Sequence, residues 1–130
     1  MDKIAIESNY VNCGAESMPL DSYEYDTVVM TYTLCTIADL KSTFAEIRRV
    51  LKRSGRVLFI EHGLSPDPSI QKIQNRVNPL WKRIAGGCHL NRDILSLLET
   101  GGFKSSDISS MYLPGWKPAT YNIWGSAQVS

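Results

Sequence analysis

The chain contains 130 residues, of which 43% are hydrophobic and 21% charged; these fractions are ordinary for a folded domain and exclude intrinsic disorder. The length suffices for one domain with one hydrophobic core, and no apolar run reaches the roughly 20 residues of a transmembrane helix. Residues 1–4 contain no apolar stretch, so we expect no signal peptide. Three widely separated cysteines, Cys13, Cys35 and Cys88, predict reduced thiols in a cytoplasmic protein, and we expect Cys13 and Cys35 to be buried.

The formal net charge of +1 conceals an uneven distribution of charge along the chain. Residues 1–47 carry eight acidic and two basic side chains, whereas residues 48–92 carry ten basic and two acidic ones. We expect the basic side chains to form a solvated helix face, and an anionic partner is the alternative. Nucleic acid is not an expected partner, because the aromatic residues do not interleave with the basic ones.

The first half of the chain predicts strands separated by one helix. Asn9–Cys13 is a short candidate strand, and Thr27–Thr33 is a continuous β-branched and apolar run, typical of a strand buried on both faces. A helix is predicted to begin after an N-cap at Asp39 and to end with Gly55 at its C′ position. Arg56–Glu61 then reads as a second buried strand, so this region predicts a βαβ unit with parallel strands.

The second half of the chain predicts two more helices and an antiparallel end. Gly86 and Gly87 should end the first of these helices, Pro79 should kink or split it, and Asn91 can cap the next. Two strands follow, Ser106–Tyr112 and Tyr121–Val129. Apolar residues at helical spacing predict a core-facing stripe on the first helix; they are Ile70, Ile73, Val77, Leu80, Trp81 and Ile84.

Polar segments follow the predicted strands at one end of the sheet. Ligands of open parallel sheets bind beyond the carboxyl ends of the strands. Three segments fall there, namely Gly14–Glu16, Thr31–Cys35 and Glu61–Gly63. The architecture therefore predicts where a ligand would bind without naming a reaction.

Several motifs in a fixed order resemble those of the class I S-adenosylmethionine-dependent methyltransferases. They are C-G-A-E-S-M-P-L, Y-E-Y-D-T-V-V-M and E-I-R-R-V-L-K-R-S-G-R-V-L-F-I-E-H, followed by G-G-C-H-L-N-R-D and L-L-E-T-G-G-F. The chain looks most like the branch of quinone-biosynthesis and thiol methyltransferases, and W-K-R-I-A-G-G-C-H is similar to its thiol side. The resemblance extends from about Tyr10 to the C-terminus, and it rests on the order of the motifs.

The resemblance implies an α/β fold, a Rossmann-like three-layer sandwich whose seven strands have the order 3-2-1-4-5-7-6. Residues 1–130 would be a single partial domain holding strands 3 to 7, the last two antiparallel. No G-x-G occurs in the sequence, so the Gly-rich cofactor loop and the first two βα units of the family are missing. We therefore expect an N-terminally truncated domain that binds S-adenosylmethionine weakly or not at all.

The resemblance also implies roles for particular residues. His62 would act as a base with Glu61 orienting it or binding the cofactor, although His62 could instead satisfy loop backbone. Gly14 stands where the family often has Asp or Asn, which leaves only backbone to meet the adenine. The cofactor-binding candidates are Gly14, Ala15, Glu16, Thr31 and Tyr32, and the substrate-binding candidates are Thr33, Trp81, Cys88 and His89.

Structural alternatives exist for several of these residues. Trp81 is also a candidate for the core and Glu16 for the solvent-facing surface. Cys88 and His89 invite a metal site with Cys35 and His62, but the compact pairs typical of zinc sites are missing, so we expect no metal.

The implied function is methyl transfer to a small-molecule acceptor, a thiol, a quinone-like compound or a lipid, incomplete in this chain alone. A non-catalytic interaction module is the alternative, because the loss of the family's first strand leaves Val28–Met30 on an open sheet edge. We expect the strand at Asn9–Cys13, a second copy or a partner chain to cover that edge. For the basic run we expect a solvated face, and a membrane surface is the alternative; its residues are Lys72, Arg76, Lys82 and Arg83.

Overall fold

Four strands and four helices follow one another in the computed structural model, which describes residues 4–130. In chain order they are β1 (Tyr25–Thr31), α1 (Leu40–Val50), β2 (Leu51–His62), α2 (Pro68–Ile84), α3 (Ile94–Thr100), β3 (Phe103–Tyr112), α4 (Lys117–Thr120) and β4 (Tyr121–Val129).

The four strands form one mixed sheet in the order β1-β2-β4-β3. β1 and β2 are parallel, with α1 between them in the chain, whereas β4 is antiparallel to both β2 and β3. This order equals the 4-5-7-6 part of the predicted seven-stranded sheet. The structure therefore confirms the Rossmann-like fold class and the antiparallel pairing of the last two strands, of which β4 alone runs against β1 and β2.

The N-terminus of α1 is capped as the sequence predicts, but its C-terminus differs. The Asp39 side chain accepts a hydrogen bond from the Ser42 backbone N–H at 3.0 Å. The helix ends at Val50, and the chain is extended from Leu51 onward. Gly55 therefore lies inside β2 and is not the C′ residue. A Cβ atom at Gly55 would come within 2.9 Å of the Leu51 side chain and of the Lys52 carbonyl, so close packing explains this glycine.

The hydrophobic core lies on one face of the sheet, beneath α1 and α3. Phe44 of α1 and Phe103 of β3 meet there with ring centroids 5.8 Å apart. Of β1, only Met30 is buried, so the prediction of a strand buried on both faces is wrong. The reason is that no described element packs on the other face of β1. The core residues are Met30, Leu34, Phe44, Ile47, Leu51, Val57, Phe59, Ile94, Leu98, Phe103, Ile123 and Ala127.

The candidate strand Asn9–Cys13 does not form. No strand occurs in the described residues before β1, Tyr10 is 93% exposed, and Cys13 is an exposed free thiol. The segment thus neither extends the sheet nor covers the β1 edge, and Cys13 is not the buried residue expected. The few apolar side chains of residues 9–13 would bury too little surface to offset the conformational entropy lost when the segment becomes ordered.

The helix α2 is continuous through Pro79 and turns a polar face inward. Its buried residues are Gln74 and Asn78, whereas Leu80 and Ile84 are exposed. The predicted core-facing apolar stripe is therefore wrong. The cap of α3 also differs from the prediction, because Asp93 and not Asn91 accepts the Ser96 N–H.

Candidate functional site

A buried carboxylate joins the carboxyl ends of the two parallel strands. Glu61, near the end of β2, is fully buried at 0% exposure. Its oxygens accept backbone N–H groups of the loop after β1: Thr33 at 3.0 Å, Leu34 at 3.1 Å and Cys35 at 3.2 Å. Burial raises the pKa of Glu61, and these three N–H groups oppose that rise. Glu61 therefore positions the loop, and its oxygens do not face the solvent-exposed rim of the sheet.

Tyr32, His62 and Asn122 form a second cluster beside this carboxylate. The Tyr32 hydroxyl donates to Asn122 Oδ1 at 2.6 Å, and its ring centroid lies 4.6 Å from that of His62. Tyr32 has a φ of 51°, a left-handed conformation that an aromatic residue adopts only when its surroundings impose it. The sequence analysis missed Asn122, whose only signal was a lone amide within the closing strand.

His62 is half-buried, and its Nδ1 is buried without a hydrogen-bond partner among residues 4–130. Burial lowers the pKa of His62 below its ordinary value of 6.5. The imidazole is therefore neutral at pH 7. A neutral imidazole at the carboxyl end of a strand is equipped to take a proton from a bound ligand.

The loop after α2 packs on the loop after β1 through two cysteines. Cys35 and Cys88 are both buried, with sulfur atoms 3.3 Å apart. The hydrogen bond with Cys88, together with burial, raises the pKa of Cys35, and the same bond lowers that of Cys88 to about 7. The His89 backbone N–H also donates to the Cys35 carbonyl at 2.7 Å. Two of the predicted substrate-side residues thus adjoin the loop that Glu61 holds.

A half-buried arginine, also missed by the sequence analysis, closes the same loop. One Arg92 nitrogen donates to the carbonyls of Leu34 at 2.5 Å and Ile37 at 2.8 Å. Glu61 and Arg92 therefore satisfy opposite polar groups of one loop, the N–H groups and the carbonyls. Such complete satisfaction favours a single loop conformation.

The predicted cofactor segment lies beside β1. Ala15 and Thr33 line one apolar cavity of about 260 Å³, together with Val28 and Ile37. Gly14 and Glu16 are exposed, and a Cβ at Gly14 would lie 2.8 Å from the Glu16 carboxyl carbon. The structure therefore places Ala15 near the rim and leaves its two neighbours facing solvent.

The remaining candidates lie at the edges of these clusters. Thr31 is exposed, and its carbonyl accepts the Thr33 hydroxyl at 3.2 Å. Trp81 is half-buried, with an indole Nε1 that has no hydrogen-bond partner in the described part of the chain. His89 opens onto a groove of about 470 Å³ that Lys82 and Arg83 also line.

The described residues contain neither a metal-ligand cluster nor a membrane-spanning helix. In residues 4–130, no group of three or more His, Cys, Asp or Glu side chains is arranged to hold a metal ion. Within the same residues, no helix combines the length and apolar character needed to cross a bilayer.

Comparison of the sequence with known proteins points to one family. A family model described as "Methyltransferase domain" matches residues 2–59. Thiol S-methyltransferase TMT1B of Rattus norvegicus is 33% identical over 116 residues, which cover 88% of this chain and 48% of the relative. The uncharacterized methyltransferase YcgJ of Bacillus subtilis is 26% identical over 85% of this chain and 42% of its own. The chain thus spans about half the length of the curated relatives it matches.

Solved structures show the same fold. A SAM-dependent methyltransferase from Methanosarcina mazei superposes with a TM-score of 0.68 at 17% identity, covering 89% of this chain and 64% of that one. A geranyl diphosphate C-methyltransferase from Streptomyces coelicolor has a TM-score of 0.61 at 14% identity, and the match covers 91% of this chain and 51% of that one. The sheet order, the motifs and these likenesses agree: the chain belongs to the class I S-adenosylmethionine-dependent methyltransferase family.

Proposed function

We propose that this chain provides the acceptor-side part of an S-adenosylmethionine-dependent methyltransferase acting on a small molecule, foremost a thiol. The observation that carries the proposal is the neutral, half-buried His62 beside Tyr32 at the carboxyl end of the sheet. The thiol is favoured because rat thiol S-methyltransferase TMT1B is 33% identical. A quinone-like or lipid acceptor is the alternative within this proposal.

The residues present fit one side of the cofactor. The apolar cavity of about 260 Å³ beside Ala15 and Thr33 is large enough for a flat purine ring, and the left-handed backbone at Tyr32 adjoins it. Bound S-adenosylmethionine would supply an electrophilic methyl group on a sulfonium sulfur. We propose that Ala15, Thr31 and Tyr32 contact it, with Gly14 and Glu16 at the solvent side. No G-x-G loop is present in this sequence to hold the other side.

The chain's own residues would orient and deprotonate the acceptor. His62 would take the thiol proton at Nε2, because Nδ1 is buried. That transfer leaves Nδ1–H without an acceptor, so the imidazolium releases its proton readily. Tyr32, held by Asn122, supports the imidazole ring from one side. Glu61 keeps the loop with Thr33 in place, and Cys88 and His89 form the outer wall with Trp81.

A chimera tests this function. The part of rat thiol S-methyltransferase TMT1B that this chain does not match is placed ahead of it, and transfer of labelled methyl to an alkyl thiol, a quinol and a phospholipid is measured. We expect transfer to the thiol. Changing His62→Gln should lower kcat about 100-fold or more at neutral pH, and less at high pH, where the thiol is already ionised.

Lys104→Gln, an exposed change on β3, is the matched control and should leave the rate unchanged. A folded chimera that binds the cofactor and methylates none of the three acceptors contradicts the proposed function. Equal rates for the parent chimera and His62→Gln at every pH contradict the role of His62.

The chain by itself gives a separate test of the partial cofactor site. In calorimetric titration with S-adenosylmethionine we expect weak binding or none, since only one side of the site is present. Micromolar affinity would show that residues of this chain suffice for the whole cofactor.

A second candidate function is an interaction module, supported by the open face and edge of the sheet. Val29 on β1 is 68% exposed, and it lines an apolar groove of about 680 Å³ with Leu58, Ile60 and Trp124. A second copy of the chain could cover this face and edge as a symmetric dimer. Sedimentation should then show a dimer that Val29→Lys dissociates, and a monomer at all concentrations removes this version.

A further inference from the structure

The helix α2 presents an apolar stripe to solvent. Ile73 is 39% exposed, Leu80 65% and Ile84 71%, and the half-buried Val77 lies between them. Residues spaced by three and four positions fall on one side of a helix. The four side chains therefore form a continuous row from Ile73 to the end of the helix, and no described element covers its exposed part.

Buried amides hold α2 in this rotation. The Gln74 side chain accepts the Ser65 N–H at 2.9 Å and donates to the carbonyls of Gly63 at 3.1 Å and Pro118 at 3.2 Å. Farther along, Asn78 accepts the Leu90 N–H at 2.9 Å. Turning the apolar stripe inward would leave these backbone groups buried and unsatisfied, at a cost of about 1–3 kcal/mol each.

Basic side chains flank the stripe on one side. At 100° per residue, Lys72, Arg76 and Arg83 fall within an arc of roughly 40° next to the apolar row. All three are exposed, and α2 contains no Asp or Glu. The ion pairs found in residues 4–130 are Arg49–Glu46 and Lys52–Asp26, so the positive charge along α2 is free to meet an external anion.

We propose that α2 lies flat on an anionic lipid bilayer, with its apolar stripe among the acyl chains and its basic row on the headgroups. The 17 residues of α2 measure about 25 Å, and a helix with these two faces binds in the interfacial plane. A bilayer matches both features at once, because it offers apolar depth next to a negatively charged surface. A nucleic acid would match only the charge.

Co-flotation of the purified chain with vesicles tests the proposal. We expect binding to phosphatidylcholine vesicles that contain phosphatidylserine, little binding to pure phosphatidylcholine, and release as salt is raised. Replacing all three basic residues (K72Q, R76Q and R83Q) should weaken the partition on the order of a hundredfold, at about fivefold per residue. Replacing two exposed stripe residues (L80S and I84S) should weaken it about tenfold or more.

Matched controls distinguish binding through this surface of α2 from effects of total charge and of total exposed apolar area. Lys41, Arg53 and Lys104 are exposed basic residues on other elements, so K41Q, R53Q and K104Q together remove the same charge. Ile4 is 86% exposed and Ile6 80%, so I4S with I6S removes similar apolar surface. Both controls should bind vesicles like the parent chain, and circular dichroism should be the same for all variants.

Three results would overturn the proposal. One is equal binding to neutral and anionic vesicles, and another is an equal loss of binding in the charge control. The third is that the chain binds neither kind of vesicle and instead forms a dimer that L80S with I84S dissociates. That result would assign the stripe to a second copy of the chain.

Discussion

Glu61 shows how one buried side chain can organise a loop. Its carboxylate gathers three consecutive backbone N–H groups from the loop after β1, while Arg92 takes the carbonyls. The sequence predicted that Glu61 lies at a strand end, because the apolar run stops there. Its burial could not be predicted, since it depends on a loop whose path is set by Cys88 and Arg92, more than 50 positions away from Cys35 and Leu34.

Glu61→Gln tests this role directly. The amide would place its NH₂ group against backbone donors, so we expect a loss of about 1–3 kcal/mol in the free energy of unfolding. Urea denaturation measures it. Glu99→Gln, at an exposed carboxylate of α3, should stay within about 0.5 kcal/mol of the parent. Similar losses in the two variants would contradict the anchoring role of Glu61.

His62 should titrate below the ordinary histidine value. Burial holds its pKa below 6.5, so the folded state binds the neutral ring better than the charged one. Its stabilising effect is present above pH 6.5 and is lost as the pH falls through the lower, folded pKa. Proton NMR should show this titration, with His62→Gln identifying the signal, and a midpoint at or above 6.5 would contradict the prediction.

At the scale of elements, α1 anchors the segment that precedes β1. Arg49 donates to the carbonyls of Leu20 at 2.7 Å and Met18 at 2.9 Å. Glu46 accepts from Arg49 at 2.8 Å and from the Met18 N–H at 2.8 Å. This pair brings Ala15 to the cavity beside β1, an arrangement that helical periodicity alone does not reveal.

Acid should weaken this anchor. The hydrogen bond from Arg49, followed by that from Met18, lowers the pKa of Glu46 from 4.5 to about 2. A lowered carboxyl pKa stabilises the fold above pH 4.5, and that stability is lost as the pH falls toward 2. In Glu46→Gln the thermal midpoint should therefore fall less over this range than in the parent. Glu7→Gln, an exposed change, should keep the parent's acid dependence.

The helix α2 shows the limit of periodicity as a guide. The spacing of its apolar residues predicts a helix, because side-chain geometry along a helix is local. It does not say which face turns inward, because that depends on the neighbours. Here Gly63, Ser65 and Leu90 present backbone groups that need hydrogen-bond partners, and the amide side chains of α2 supply them.

At the scale of the whole molecule, the sheet has a buried face and an open face. Hydrogen exchange should reveal the free edge of the sheet, because exchange rates should alternate from one backbone amide to the next along β1. The Tyr32 N–H bonds to Ile60 of β2, and strand residues alternate in direction, so the amides of Val28 and Met30 face β2 while those of Val29 and Thr31 face outward. We expect the outward pair to exchange quickly and the inward pair slowly. Slow exchange of all four would indicate that a second chain pairs with β1.

The sequence by itself determined the order of β1 to β4 and α1 to α3, the capping of α1, the antiparallel pairing of the last two strands and the family, because caps, periodicity and motif order are local properties. Only the tertiary structure decided which residues meet. Tyr32 and Asn122 are 90 positions apart, and the inward face of α2 depends on backbone groups from two loops and from α4. Such contacts follow from the packing of distant segments and from the need to satisfy every buried polar group, which no stretch of sequence contains by itself.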